Sequence, residues 1–153
     1  MTTVLLIIHG LLAVALLGAI THQALAVLRP PHDRASMTRR FRAVEAGGYA
    51  SSIVPLFVVT TFAGAVLYPE YRILVRPILE SMDLRAANGA FEVKEQFAAL
   101  GLGMLPAYWA LWKEPLGPEY AGARRGVTWF LALVVWSNFL IGHVVNNVQG
   151  LFQ

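Results

Sequence analysis

Four long apolar blocks dominate this chain and limit the folds open to it. They cover about residues 4–28, 48–67, 91–112 and 127–148. A helix needs roughly 20 mostly apolar residues to cross the hydrocarbon core of a bilayer. Hydrophobic residues make up 57% of the chain and charged residues only 14%, which leaves too few polar faces for a water-soluble bundle. The sequence therefore predicts an all-α fold, an integral membrane four-helix bundle in which residues 1–153 form one domain.

The first block is predicted to be a retained helix rather than a secretory signal. A signal peptide carries basic residues before its apolar stretch, whereas the first basic residue here is Arg29, after the stretch. The chain has no cysteine. Disulfides, thiolate metal sites and iron–sulfur clusters within this chain are therefore excluded.

The connections between the blocks carry different signals. Pro30–Pro31 is expected to end helix 1. In residues 72–80, apolar and charged side chains alternate at helical spacing, which predicts a short surface helix between helices 2 and 3. Asn88–Gly89 is a turn signal, so helix 3 is predicted to begin after it. The aromatic stretch 108–112 is expected to form an interfacial belt at the end of helix 3.

The distribution of Lys and Arg predicts the orientation. The first and third connections share one face and hold eight of the 12 basic residues: Arg29, Arg34, Arg39, Arg40, Arg42, Lys113, Arg124 and Arg125. Because basic loops stay in the cytoplasm, both termini are predicted on the outer side of a bacterial inner membrane. Basic residues near helix ends report orientation here, so the lipid bilayer and not nucleic acid is the predicted partner.

Two histidines are predicted to reach the same depth from opposite ends of the sequence. His9 lies about six residues into helix 1, roughly 9 Å along its axis, and His143 lies about as far before the end of helix 4. Lys94, Glu95 and Asn146 are expected near the same layer. Polar side chains are costly in lipid, so these five residues are predicted to face each other inside the bundle as a cofactor site.

A haem b is one ligand that fits two imidazoles at one depth, because its iron takes axial nitrogens from both sides. His9 and His143 are then the iron ligands, and Lys94 is available for a propionate. The alternatives are a hydrogen-bonded pair of packing histidines, a metal site or a quinone site. His22 has no histidine partner at its depth, so a second haem is not predicted and His22 is expected to bond beside Gln23 and Glu45 near the interface. His32 is predicted to be solvated.

Three short segments carry a resemblance to known families. They are "HGLLAV" at His9, the Arg-rich "MTRRFR" and "FEVKEQF" around Lys94. Together with the four-span pattern they resemble the small membrane proteins of the copper-resistance D type and of the membrane-bound protoporphyrinogen oxidase type. The resemblance implies haem b binding or copper handling at His9 and the start of helix 3. Val93 and Glu95 flank Lys94, where those families carry a histidine.

Three functions follow as hypotheses. The first is a haem b-binding subunit in electron transfer or quinone chemistry. The second is an accessory or anchor subunit of a respiratory or photosynthetic complex, in contact with other membrane subunits or with copies of itself. The third is copper handling, for which the sequence offers no cysteine and, within the spans, only Met104. No nucleophile–base set can be assembled at one depth, so no enzyme class is assigned.

Overall fold

A computed structural model describes residues 2–28, 46–113 and 117–150. Its elements are α1 (Thr2–Ala26), α2 (Ala46–Glu70), a π-helical segment (Tyr71–Val75), α3 (Arg76–Ser81), α4 (Arg85–Lys113), a 3-10 turn (Pro118–Tyr120) and α5 (Ala121–Gly150). No strand occurs in these ranges, so the all-α prediction is confirmed for them. The Arg-rich first connection, with His32 and Glu45, lies outside the described residues.

Among the described residues, three helical stretches are long and apolar enough to cross a membrane, which indicates a membrane protein. They are Thr3–Ala26, Gly48–Ser81 and Pro118–Asn147. The predicted fourth span lies in α4, which has 29 residues but carries charged side chains through its first half. α4 is not among the three stretches, so its crossing of the membrane stays a prediction.

Each of the four long helices packs against two others. α1 packs on α2 and α5, and α4 packs on the same two helices. Two hydrogen bonds show how the helices run past one another. Trp136 of α5 bonds to Thr21 of α1, and Tyr108 of α4 bonds to Gln23 of α1. α1 and α4 therefore lie diagonally opposite and parallel, with α2 and α5 antiparallel between them. We call the end where α1 begins and α5 ends the terminal end.

Two clusters of buried apolar side chains hold the bundle together. The larger joins all four long helices and includes Leu16, Ile53, Phe57, Leu105 and Leu131. The smaller lies towards the terminal end, and its members are Tyr71, Val75, Leu79 and Val145, with Phe91 and Ile141 packed against them. Because lipid tails are as apolar as these side chains, such packing stabilises a bundle in a membrane through van der Waals contact and not through removal from water. Residues of α1 before Leu16 contribute no buried side chain to either cluster.

The turn between helices 2 and 3 differs from the prediction. α4 begins at Arg85, so Asn88–Gly89 lies inside its first turns and the predicted turn there is wrong. The chain reverses instead at Asp83, which adopts φ 57°. The Leu84 N–H donates to the Leu79 carbonyl at 2.9 Å, as in a Schellman motif with Asp in the left-handed position usually taken by Gly.

The short helix predicted between helices 2 and 3 is present as α3. It is not a separate element, because the π-helical segment joins it to α2 without a break. The combined stretch Gly48–Ser81 has 34 residues. At 1.5 Å per residue it is about 51 Å long, longer than the roughly 30 Å hydrocarbon core, so one end extends past the lipid. Arg72, Arg76 and Glu80 lie in that end.

Candidate functional site

His9 lies on the face of α1 that points into the bundle. Leu16, Ile20 and Gln23 follow it at spacings of seven, four and three residues, and all three are buried. The imidazole reaches the backbone of Thr60 and packs on Gly64 of α2. A Cβ added at Gly64 would lie 3.2 Å from His9 Cε1. The glycine therefore gives the ring its room.

Lys94 and Glu95 of α4 lie within electrostatic range of the same imidazole. Lys94 Nζ lies 2.6 Å from Glu95 Oε1, and the Lys94 side chain is only 14% exposed. The ammonium also sits 4.4 Å from the centre of the Phe91 ring, which stacks on Tyr71. The lysine is thus held in place by one carboxylate and one aromatic face.

Two buried polar atoms at this place have no hydrogen-bond partner within the described part of the chain. They are His9 Nδ1 and Thr60 Oγ1. More than nine in ten buried polar groups in proteins are hydrogen-bonded, and an orphan costs about 1–3 kcal/mol. An orphaned imidazole nitrogen beside a lysine and a glutamate is typical of a site that receives a polar ligand. We call His9, Thr60, Gly64, Lys94 and Glu95 the His9 site.

His143 is not part of the His9 site. Ile141 and Val145 mark the inward face of α5 at this level. His143 is two residues from each, about 200° around the helix, and it is exposed. Its ring stacks on Phe139 of the same helix with centroids 6.3 Å apart. The structure brings His9, Lys94 and Glu95 together but leaves His143 on the outside.

Asn146 is exposed on α5 as well, so it does not join the His9 site either. The Thr21–Trp136 hydrogen bond gives the register of the two helices and sets His143 level with about Val14. That is five residues, or about 7 Å, deeper than His9. The prediction of a shared layer for the two histidines therefore differs from the structure in depth as well as in direction.

Asn138 is a polar residue in the terminal half of α5 that faces the interior. It precedes the inward Ile141 and Val145 at spacings of three and seven residues, and its Oδ1 is buried without a partner in the described residues. Helical spacing from the apolar residues of the same block is the signal that identifies it. An intramembrane amide on this face points to the bundle interior rather than to lipid.

A second polar cluster lies at the opposite end of the bundle. Gln23 and Tyr108 are both fully buried, and the Tyr108 hydroxyl donates to Gln23 Oε1. His22 is 5% exposed and stacks on Tyr49 with ring centroids 4.5 Å apart. We call these four residues the Tyr108 cluster. His22 was expected at the interface, but its side chain is buried.

The aromatic stretch of α4 is turned inwards in part, so the predicted interfacial belt is wrong for Tyr108. Trp112 is half-buried, and its indole N–H donates to Thr128 Oγ1 at 3.0 Å. The Arg124 guanidinium lies 5.5 Å from the centre of the Trp112 ring. These contacts join α4 to α5 at the end opposite the termini.

The two polar sites are in register along the diagonal helices. The pairs His9–Lys94 and Gln23–Tyr108 are each separated by 85 residues in sequence. On either helix the sites are 14 residues apart, which is about 21 Å along the axis. α1 and α4 thus meet through polar side chains at both ends of the bundle and through apolar ones between.

The described residues contain no group of three or more His, Asp or Glu side chains that could hold a metal ion. Comparisons with family models, curated proteins and solved structures find no match to this chain.

Proposed function

We propose that this protein is a small integral membrane subunit of an electron-transfer system and binds a quinone head group at the His9 site. The observation that carries the proposal is the orphaned Nδ1 of His9, buried between α1 and α2 and close to Lys94 and Glu95 of α4. Ionisable side chains inside a membrane bundle are costly and are commonly retained for ligand or proton handling.

The chemistry of the site suits a quinone. A quinone head group is a flat ring with two carbonyl oxygens, which accept hydrogen bonds and each take up a proton when the ring is reduced to the quinol. One nitrogen of His9 already meets the Thr60 backbone carbonyl as a donor, so Nδ1 of the neutral imidazole accepts and suits a quinol hydroxyl, whereas the Lys94 ammonium donates to a quinone carbonyl. The Glu95 carboxylate can take or return a proton. His9, Lys94 and Glu95 therefore supply both the binding contacts and the proton exchange.

The outer face of α1 beside the site is apolar. In α1 the side chains of Val4, Ile7 and Leu11 are 61%, 58% and 66% exposed. They lie about 140–160° around the helix from His9, so they form the side of α1 that faces away from the bundle. The apolar tail of a ligand held at His9 is expected to lie along this face of α1.

The same exposed face of α1 favours a second candidate, an accessory subunit that packs against another membrane protein. The two functions are compatible, because a quinone-binding subunit needs a redox partner to supply or receive electrons. Purification of the chain alone tests the second candidate. Loss of the protein from the membrane when its partner is absent supports it.

Binding of decylubiquinone to the full chain in lipid nanodiscs tests the quinone proposal. His9→Leu removes the imidazole from the head group, and a lost buried hydrogen bond of about 1–3 kcal/mol corresponds to roughly 5- to 150-fold weaker binding. Lys94→Met is expected to weaken binding to a similar extent. His143→Leu is the matched control, since it removes an exposed imidazole at the same end. Equal affinities for His9→Leu, His143→Leu and the natural chain would reject the site.

Haem b held by His9 and His143 stays a prediction that the same preparation tests. The outward position of His143 argues against this pair of axial ligands. A reduced-minus-oxidised absorption spectrum with haem bands, lost in both His9→Ala and His143→Ala and kept in His32→Ala, would replace the quinone by a haem.

A further inference from the structure

An apolar groove runs between α1 and α5 on the side of the bundle away from the His9 site. Its volume is about 250 Å³, and its walls include Thr21 and Leu25 from α1 and Trp129, Leu133 and Trp136 from α5. The hydroxyl oxygen of Thr21 accepts the indole N–H of Trp136 at 2.9 Å. The lining therefore presents hydrocarbon and aromatic surface, which suits a chain of methylene groups.

Arg125 stands in line with this groove. Trp129, Leu133 and Trp136 follow it by four, eight and 11 residues, so all four side chains lie within about 80° of one another around α5. Arg125 is exposed and forms no ion pair with another described residue. The guanidinium of its neighbour Arg124 lies over the Trp112 ring, so Arg124 is not in line with the groove. The groove lining ends at Trp129, and Arg125 lies one helical turn beyond it, about 16 Å along α5 from Trp136.

We infer that the groove binds one acyl chain of an anionic phospholipid whose phosphate contacts Arg125. The acyl chain of such a lipid matches the apolar groove, and its phosphate matches the positive charge of Arg125 beyond the groove. Anionic lipids are concentrated in the cytoplasmic leaflet, and basic pockets between helices on that side bind their head groups. The Lys and Arg distribution places the Arg125 end on the cytoplasmic side.

The dimensions of the groove favour a lipid chain over a helix. An α-helix with its side chains is about 10–12 Å across, so it would lie over the two tryptophans rather than between them. A single hydrocarbon chain is narrower than a helix and can lie along the groove against Leu25, Trp129 and Leu133.

Native mass spectrometry of the full chain released from detergent tests the inference. The protein is titrated with palmitoyl-oleoyl phosphatidylglycerol and, separately, with the matching phosphatidylcholine. Phosphatidylglycerol is expected to bind about fivefold more tightly, the contribution of one basic residue to attraction by an anionic head group. Arg125→Gln removes this preference. Arg85→Gln, which alters an exposed arginine at the terminal end, leaves it unchanged.

The chain-binding part of the groove has its own pair of variants. Trp129→Ala is expected to weaken retention of both lipids at least threefold, because it removes one wall. Phe62→Ala, an exposed aromatic on α2, is the control for loss of lipid-facing surface. Far-UV circular dichroism checks that each variant keeps its helical content. Equal binding of the two lipids would overturn the inference, and so would an unchanged lipid preference in Arg125→Gln. A dimer that Trp129→Ala dissociates, and that added lipid does not dissociate, would overturn it as well.

Discussion

Gly101→Ala should destabilise the bundle although it replaces a glycine in the middle of a helix. Gly101 of α4 is buried against Phe57 of α2, and Phe57 is itself only 2% exposed. A Cβ at position 101 would overlap Phe57 Cζ and lie 3.2 Å from Cε1 and Cε2. The Phe57 ring has little room to move, because it packs in the larger buried cluster with Ile53 and Leu105.

The magnitude follows from two opposing effects. Overpacking a filled core costs about 1–3 kcal/mol. Alanine in place of glycine within a helix contributes about 0.5–1 kcal/mol in the other direction. The matched control is Gly103→Ala, two residues further along α4, where the residue is exposed and nothing lies within 4 Å of the added Cβ. The free energy of unfolding of Gly101→Ala is therefore expected to be about 1–3 kcal/mol below that of Gly103→Ala.

Unfolding of both variants in mixed micelles, by titration with sodium dodecyl sulfate and far-UV circular dichroism, measures this difference. Phe57→Leu in the Gly101→Ala background removes the ring atoms that the new Cβ meets. The double variant should recover stability relative to the sum of the two single changes. Equal unfolding free energies for Gly101→Ala and Gly103→Ala would show that α2 and α4 do not approach each other closely at Phe57, and the packing argument would fail.

Two further changes test polar contacts between the helices by the same unfolding measurement. Tyr108→Phe removes the hydroxyl that donates to the fully buried Gln23. The free energy of unfolding is expected to fall by about 1–3 kcal/mol, because a buried amide oxygen loses a partner. An unchanged free energy of unfolding would contradict the bond. Trp136→Phe removes the indole hydrogen bond to Thr21 on the outer side of the bundle, and it is expected to lower the free energy of unfolding by about 0.5–1.5 kcal/mol. Trp129→Phe, for which no such bond is described, should lower it by less.

The helices could be predicted from the sequence because their apolar blocks are long. Blocks of this length leave a chain few ways to satisfy its backbone other than helices. The start of α4 could not be predicted in the same way. Asn88–Gly89 is a stronger local turn signal than Asp83, yet the Schellman motif at Asp83 places Leu84 in the smaller apolar cluster. The contacts made by Leu84 decided the boundary, and they depend on the fold as a whole.

The depth of part of the candidate site could be predicted from the sequence, but the depth of His143 and the directions of the side chains could not. Counting residues from the helix ends brought His9, Lys94 and Glu95 to one layer, and the structure places them together. The same count placed His143 in this layer and did not identify Asn138. Rotation around α5 separates these two, since Asn138 shares its face with Ile141 and Val145 and His143 does not. The role of Gly64 could not be predicted from the sequence around it, because that role is to leave room for the His9 ring of another helix.

The layer between the two polar sites decides where protons at the His9 site come from. Leu16, Ile53, Phe57 and Leu105 fill the bundle between the His9 site and the Tyr108 cluster, over about 21 Å. Asn138 adds a buried amide oxygen, but an amide accepts a hydrogen bond without taking up a proton, so it does not relay one. Protons exchanged by His9 and Glu95 are therefore expected to leave towards the terminal end, which is the nearer end of the bundle, and not through the apolar layer. A quinol oxidised at this site would release its protons on the side of the membrane that holds both termini.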